Sequence, residues 1–390
     1  MKRLLIVSDP PVAPGYLPRL RYLCEYLVRK GYDVTWVTEK RGDIPFDHTY
    51  PLITIPMYSG SKCDWFFKSV WTLLTDWYNR AFAKKCLQSF NRKSSNRQSF
   101  DLVLCSTFNE VPLGAAKRIA DQLNVPLFCD IRDLDEQVDN SRYQYHHQSG
   151  WLMPFRRIYR AVHIRRRNKV LRAATVVTTV SAWHREFIRT LNPNTITMFN
   201  GYDEKQFYPK DIPTDTFRIT YIGSLFDWQK PALTKVQTII DELNKSKIIN
   251  HKSPYGASRS EEIVFDVHTP QNNPIPYTEI GDAIRRSSIM LVLTDTHTHG
   301  MLTTKFFEAL GCQKPILCVP SDQGELAELM DWSHAGLDSD DPEQIKDFIL
   351  DRYKEWQTNG FTRQSNLLWE VLSREAQSEE IEKLINIYLS

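Results

Sequence analysis

The apolar positions of this chain switch repeatedly between two periods. Residues 3–8, RLLIVS, form a continuous apolar run closed by Asp9-Pro10-Pro11, the pattern of a buried strand. In the following YLPRLRYLCEYLVRKGY, Leu17, Leu20, Cys24, Leu27 and Val28 fall at helical spacing, and Gly31 supplies a stop. DVTWVTE then reads as a second strand. Strand, helix and strand make a βαβ unit, which implies a parallel sheet. The alternation recurs through DLVLCS, VPLGAAKRIADQL, VPLFCDI and ATVVTTVS. It starts again in the second half, with strands FRITYIGS, EEIVFDVHT, IMLVLTD and PILCVPS. Helices LTKVQTIIDELNKS, TEIGDAIRRS and TTKFFEALGC lie between them. The pattern predicts an α/β fold of two tandem Rossmann-like, doubly wound domains. KDIPTDT, residues 210–216, reads as the linker, and residues 250–262 as a polar surface loop.

Two stretches depart from this alternation. Residues 64–90 are a long helical pattern rich in Trp and Phe. Residues 151–172 carry eight Arg or Lys and no acid.

Length and charge sharpen the division. At roughly 100–200 residues per domain, 390 residues suit two domains. Residues 1–210 hold 32 Lys and Arg against 19 Asp and Glu, whereas the remainder holds 17 against 28. The net +2 therefore hides a basic half joined to an acidic half, and a basic half calls for an anionic partner or surface. The seven cysteines are odd in number and never spaced as CxxC, so reduced, buried thiols are expected rather than disulfides or zinc. The four-residue apolar run near the start is too short for a secretion signal. No apolar run approaches the roughly 18–20 residues of a membrane span. A cytoplasmic location is expected.

Open parallel sheets bind ligands at the carboxyl ends of their strands, so the residues just beyond each strand carry the candidate chemistry. There is no GxGxxG, no GxxxxGK[ST] and no GxSxG, which argues against nicotinamide or flavin sites, P-loops and hydrolase elbows. Gly15 precedes a helix, where it either lets a phosphate or sugar approach the backbone or simply serves a loop turn. Asp130, Arg132 and Asp133 crowd one strand end, as a sugar-hydroxyl site or as a solvated Arg–Asp pair. Gly223-Ser224 follows a strand, with Lys230 seven residues after the glycine. This is a glycine turn for a phosphate and a cation to neutralise it. Thr303-Thr304 open a helix whose Glu308 lies one turn beyond Thr304. Hydroxyls and amides there suit a phosphate, and the carboxylate suits a ribose; the plain alternatives are an N-cap and a first-turn acid. His297 and His299 lack a matching carboxylate pattern, and no metal site is expected.

In order and spacing the chain resembles the GT-B nucleotide-sugar glycosyltransferases, above all the retaining glycosyltransferase family 4. The resemblance rests on Pro10, Pro11, Gly15 and Arg19, on DIRDL, on VVTTVSAWHREFI, and on FNGYDEKQFYP with Asn200, Gly201, Asp203 and Phe207. YIGSL with its following lysine, and TKFFEALGCQKPIL, extend it through the second half. It implies two Rossmann-like domains facing across a cleft: an acceptor-side domain over 1–210 and a donor domain over 211–365. The helix within 366–390 would pack back on the first domain. It implies transfer of a sugar from a nucleotide-diphosphate sugar to a glycan or lipid-linked acceptor, with retention and without a metal or other cofactor.

Residue by residue, the resemblance implies that Lys230 holds the donor diphosphate and that Thr303 and Thr304 bind its phosphates. Glu308 would bind the ribose, and Gly15 would face the reacting sugar. Asp133 would contact donor or acceptor hydroxyls. Gly223 and Ser224 complete the donor side, Asp130 and Arg132 the acceptor side, and Asp133 and Lys230 are the expected catalytic residues. The family's first acid of an ExxxxxxxE pair falls on Gly300 here. A subgroup that handles cell-surface polysaccharide sugars has a similar loop before a lysine, which Lys305 matches, and polysaccharide biosynthesis is the expected setting.

The basic stretch makes a membrane expectation. Arg156, Arg157, Arg160, Arg165, Arg166 and Arg167 alternate with aromatic and aliphatic residues, the make-up that an anionic membrane surface selects. A peripheral protein on the inner face of the cytoplasmic membrane is therefore expected, with the aromatics of 64–90 either joining that face or lying in the core. Two rival readings are a nucleotide-sugar epimerase and a non-catalytic scaffold on the same fold. A third, nucleic-acid binding by the basic half, is not expected.

Overall fold

The structure is a computed structural model that describes residues 1–12, 17–58, 61–93, 99–108, 110–137, 153–246, 262–294, 296 and 298–390. The chain forms two compact units: residues 1–199 with 378–390, and residues 200–377.

The first unit is built on a seven-stranded, wholly parallel sheet in the order β3-β2-β1-β4-β5-β6-β7. The strands are β1 (Arg3–Ser8), β2 (Asp33–Glu39), β3 (Leu52–Ile55), β4 (Leu102–Thr107), β5 (Leu127–Ile131), β6 (Val176–Thr179) and β7 (Thr195–Thr197). Both faces of the sheet are covered, which is why its central strands are apolar throughout. In β1, Leu5 and Val7 point into one core and Leu4 and Ile6 into the other. β4 divides in the same way, Val103 and Cys105 against Leu102 and Leu104. The helices are α1 (Pro18–Arg29), α2 (Lys62–Thr75), α3 (Trp77–Lys93), α4 (Glu110–Leu123), α5 (Met153–Arg172) and α6 (Ala182–Arg189). The helical pattern of 64–90 is thus two helices, broken where Asp76 takes a left-handed conformation (φ 56°).

The second unit carries a five-stranded parallel sheet in the order β12-β11-β10-β8-β9. Its strands are β8 (Phe217–Ile222), β9 (Ile263–His268), β10 (Ile289–Leu293), β11 (Ile316–Val319) and β12 (Gly336–Asp338). Its helices are α7 (Lys230–Lys245), α8 (Ile280–Arg286), α9 (Thr304–Gly311), α10 (Glu325–Ser333) and α11 (Pro342–Asn359). Phe217, Ile219 and Tyr221 of β8 pack with Val236, Ile240 and Leu243 of α7 and with Tyr353 and Trp356 of α11. The Trp356 indole N–H donates to the Thr214 carbonyl at 3.1 Å and so ties the segment entering β8 to this core.

The last helix, α12 (Arg374–Tyr388), starts in the second unit and ends in the first. Within the first unit, Ile381 and Ile385 join the core that holds Leu4 and Ile6. The Tyr26 hydroxyl bonds the Glu382 carboxylate at 2.6 Å, and the Tyr32 hydroxyl bonds Asn386 at 2.8 Å. Among the described residues no helix is long and apolar enough to cross a membrane. All seven cysteines are free thiols and only Cys63 is exposed.

Candidate functional site

In the second unit the polar residues gather beyond the carboxyl ends of β8 and β10. Thr303 caps α9, its hydroxyl accepting from the Lys305 backbone N–H at 3.4 Å. Thr304 opens the helix, and Lys305 and Glu308 follow on one face three residues apart. Gly223, just past β8, has φ 145°. A Cβ built on it would lie 1.9 Å from Lys305 Cε and 2.6 Å from Lys305 Nζ. Only a glycine leaves room for that side chain, so the lysine lies directly over the end of β8. The sequence suggested that this glycine opens its backbone to a phosphate. In the structure its N–H donates to the His268 carbonyl at 2.9 Å, and Lys305 occupies the space above it.

Charge and burial are coupled here. Glu308 is 8% exposed, and burial raises its pKa to about 7, opposed by the charges of Arg374 and Lys305. Desolvation lowers the pKa of Lys305, with Glu308 acting in the other direction. Arg374, at the start of α12, is buried, and its Nε and Nη2 have no hydrogen-bond partner. Two cations around one carboxylate leave an excess of positive charge in a desolvated place, which suits an anionic ligand. Sequence reading did not single out Arg374. Its basic side chain at a helix start carries no motif, and it reaches Glu308 only through the fold.

Lys230 opens α7 and is exposed, paired with Asp227 at 2.6 Å. That bond holds the Asp227 carboxyl below its usual range. The Ser224 carbonyl accepts from the Tyr221 hydroxyl at 2.6 Å. Gly300, where the resemblance leads one to look for an acid, is buried in the loop before α9. Gly15 and His297 lie outside the described residues.

In the first unit, Asp130, expected on the acceptor side, has partners of its own. Its carboxylate is buried and already filled by the Arg19 guanidinium, by the Ser106 hydroxyl at 2.7 Å and by the Thr178 hydroxyl at 2.8 Å. It is a structural ion pair that locks α1 to the sheet. Arg132 is buried, with its guanidinium carbon 4.6 Å from the Phe108 ring centre. Asp133 remains exposed on the same loop.

Two of the arginines assigned to a membrane face are likewise turned inwards. Arg167 is buried and pairs with both Glu136 oxygens, at 2.8 and 2.6 Å. Arg166 donates to the Thr72 and Leu73 carbonyls at 2.8 Å, satisfying the last turn of α2. Arg160 bonds the Asp135 carbonyl, Arg157 and Arg165 are exposed, and the Arg156 side chain lies outside the described residues. Among the described residues no group of three His, Cys, Asp or Glu side chains is placed to hold a metal ion.

Residues 15–198 match the model of the glycosyl transferase 4-like domain. The whole chain superposes on solved glycosyltransferase folds. Anabaena HepE, solved with UDP and glucose, has a TM-score of 0.60 and 11% identity, covering 99% of this chain and 100% of that one. A glycosyltransferase from Rickettsia africae has a TM-score of 0.57 and 11% identity, over 100% and 99% of the two chains. An alpha-glucosyltransferase solved with UDP has a TM-score of 0.55 and 11% identity over the full length of both. No curated protein matches the chain in sequence. Residues 15–198 are a glycosyl transferase 4-like domain, and the chain as a whole has the GT-B fold. The two parallel sheets described above are the two Rossmann-like domains of that fold.

Proposed function

We propose that this protein is a glycosyltransferase that moves a sugar from a nucleoside-diphosphate sugar to a glycan or lipid-linked acceptor in cell-surface polysaccharide synthesis. The observation that carries the donor side is the placement of Lys305 over Gly223, one helical turn from buried Glu308. In this reading Lys305, Lys230 and the amides that open α9 meet the diphosphate, and Glu308 accepts hydrogen bonds from the ribose. As the glycosyl–diphosphate bond breaks, negative charge grows on the leaving group. Cations and helix-start amides already in place stabilise that charge more than they stabilise the ground state. This is sufficient without a metal. Retention follows if the acceptor attacks the face that the diphosphate leaves, with Asp133 on the acceptor side. Release of nucleoside diphosphate from a panel of UDP-, GDP-, dTDP- and ADP-sugars tests the proposal. Loss of that release in Lys305→Ala supports it, and unchanged release in that variant removes Lys305 from the site.

A lipid-linked acceptor would bring the enzyme to a membrane, and the first unit has a surface suited to this. On α2, Phe67, Val70, Trp71 and Leu74 are 70%, 40%, 55% and 69% exposed at i, i+3, i+4 and i+7, a continuous apolar stripe. On α5, exposed Ile158 and Tyr159 stand beside exposed Arg157, with Arg165 two turns on. Apolar side chains with cations nearby suit an anionic bilayer at the cytoplasmic face. Cosedimentation with anionic but not neutral vesicles, lost in Trp71→Ser with Leu74→Ser, is the expected result. Equal recovery with both vesicle types would overturn it.

A further inference from the structure

The first unit has an open-mouthed cavity of about 600 Å³ beyond the carboxyl ends of β1, β2 and β4. That is within the roughly 300–1,000 Å³ of small-molecule sites. None of the donor-side residues lines it. Its floor is a row of acids, one from each strand end: Asp9 after β1, Glu39 closing β2 and Glu110 just beyond β4. All three are buried. α5 contributes His163, which is 8% exposed, with its Nδ1 3.1 Å from Glu110 Oε2. His163 Nε2 has no hydrogen-bond partner. Tyr58, Tyr78, Phe108 and Tyr159 supply aromatic wall.

The hydrogen-bond accounts of these groups define what fits. Each guanidinium that lines the cavity already holds a carboxylate or a carbonyl. Arg41 spans Glu39 at 3.0 and 3.2 Å, Arg167 spans Glu136, and Arg160 donates to the Asp135 carbonyl. Asp9 accepts from the Phe108 N–H at 2.9 Å, and Glu110 accepts from Asn79 at 2.6 Å. A carboxylate has about four acceptor sites, so capacity remains on both. The cavity therefore offers buried acceptors and one imidazole nitrogen, and its cations are each paired with an acid or a carbonyl of the protein. A phosphate would need donors and would meet three buried acids. A ligand rich in hydroxyl donors, uncharged, with apolar ring faces for the aromatic walls, suits this lining.

We infer that this cavity binds an uncharged sugar ring through Asp9, Glu110 and His163. On the transferase reading that ring is the acceptor's terminal sugar, so the acceptor is recognised by its neutral glycosyl end and not by a phosphate.

The test is titration of the full chain, without donor, by calorimetry. The probes are methyl glycosides of glucose, galactose, mannose and N-acetylglucosamine, their β-linked disaccharides, glucose 6-phosphate and inorganic phosphate. At least one neutral glycoside should bind, at least tenfold more tightly than either phosphate probe. Asp9→Asn and His163→Gln should each weaken that binding at least fivefold while leaving the thermal shift with UDP unchanged. If His163→Gln does not fold, sugar-dependent shifts of the His163 ring nitrogens in the native protein give the same answer. Absence of neutral glycoside binding, affinity unchanged in both variants, or tighter binding of the phosphates would overturn the inference. Sugar binding without any nucleotide binding would instead sink the transferase reading and leave the cavity assignment standing.

Discussion

Gly223→Ala isolates the feature on which the donor side rests. The new Cβ would sit 1.9 Å from Lys305 Cε and 2.6 Å from its Nζ, so the lysine must leave its place over β8. A lysine stem is flexible, so the collision itself is relieved by that movement. What remains in the folded protein is an alanine held at φ 145°, a backbone cost of about 1–3 kcal/mol. For a unit of this size that lowers the Tm by about 2–12 °C, which leaves a folded protein to assay. The displaced ammonium costs donor binding one charge-assisted contact, about 1.5–3 kcal/mol, or about 10- to 150-fold in Kd. Lys305→Ala should cause the same loss without the backbone cost. Calorimetric titration with nucleoside diphosphate across both single variants and the double variant tests this. The two effects should not add, because both remove one ammonium from one place. Wild-type affinity in Gly223→Ala, or effects that add in full, would refute the reasoning.

Three further outcomes follow from the same structure. Burial raises Glu308 above its usual range to about 7, so its ionisation costs stability progressively as pH rises from its unfolded value through 7. Glu308→Gln should gain stability relative to wild type between pH 5 and pH 8, by the order of 3 kcal/mol, in denaturant titrations; a constant difference would contradict the burial account. Arg167→Ala should cost about 3 kcal/mol by leaving half-buried Glu136 without its cation, whereas Arg157→Gln and Arg165→Gln should leave the Tm unchanged and weaken binding to anionic vesicles. Asp130→Ala should cost about 3–5 kcal/mol, since it leaves the Arg19 guanidinium buried without its carboxylate; a change under 1 kcal/mol would show that the pair is not structural.

Much of the fold was readable because its central strands are buried on both faces and long enough to stand out as apolar runs. The strands that went unread are β3, β7 and β12, with sequences LITI, TIT and GLD. Edge strands of three or four residues hold too few positions to show a period. The helical pattern of 64–90 gave no sign of the break at Asp76, since an aspartate in a left-handed conformation needs no special neighbour. The grouping of Thr303, Thr304, Lys305 and Glu308 was legible because one helix start presents them together. Arg374 was not, because it comes from a helix some 65 residues away in sequence and meets Glu308 only after folding. The pairing of Asp130 was not legible for a related reason. Its partners Arg19, Ser106 and Thr178 come from three other elements, and a strand-end acid in sequence looks the same whether it is free or filled. The acids at the ends of β1, β2 and β4 did leave a signal, one after another at successive strand ends, that sequence reading passed over.

The most direct test of the account is transfer of label from a nucleotide sugar. Purified protein is incubated with anionic vesicles carrying a lipid-linked saccharide and, in turn, with UDP-, GDP-, dTDP- and ADP-sugars labelled in the glycosyl group. The account predicts that label from one of these donors enters the saccharide, with one nucleoside diphosphate released per sugar moved, and that Lys305→Ala reduces the rate at least tenfold. Failure of all four donors to transfer or to bind, or full activity in Lys305→Ala, would contradict it.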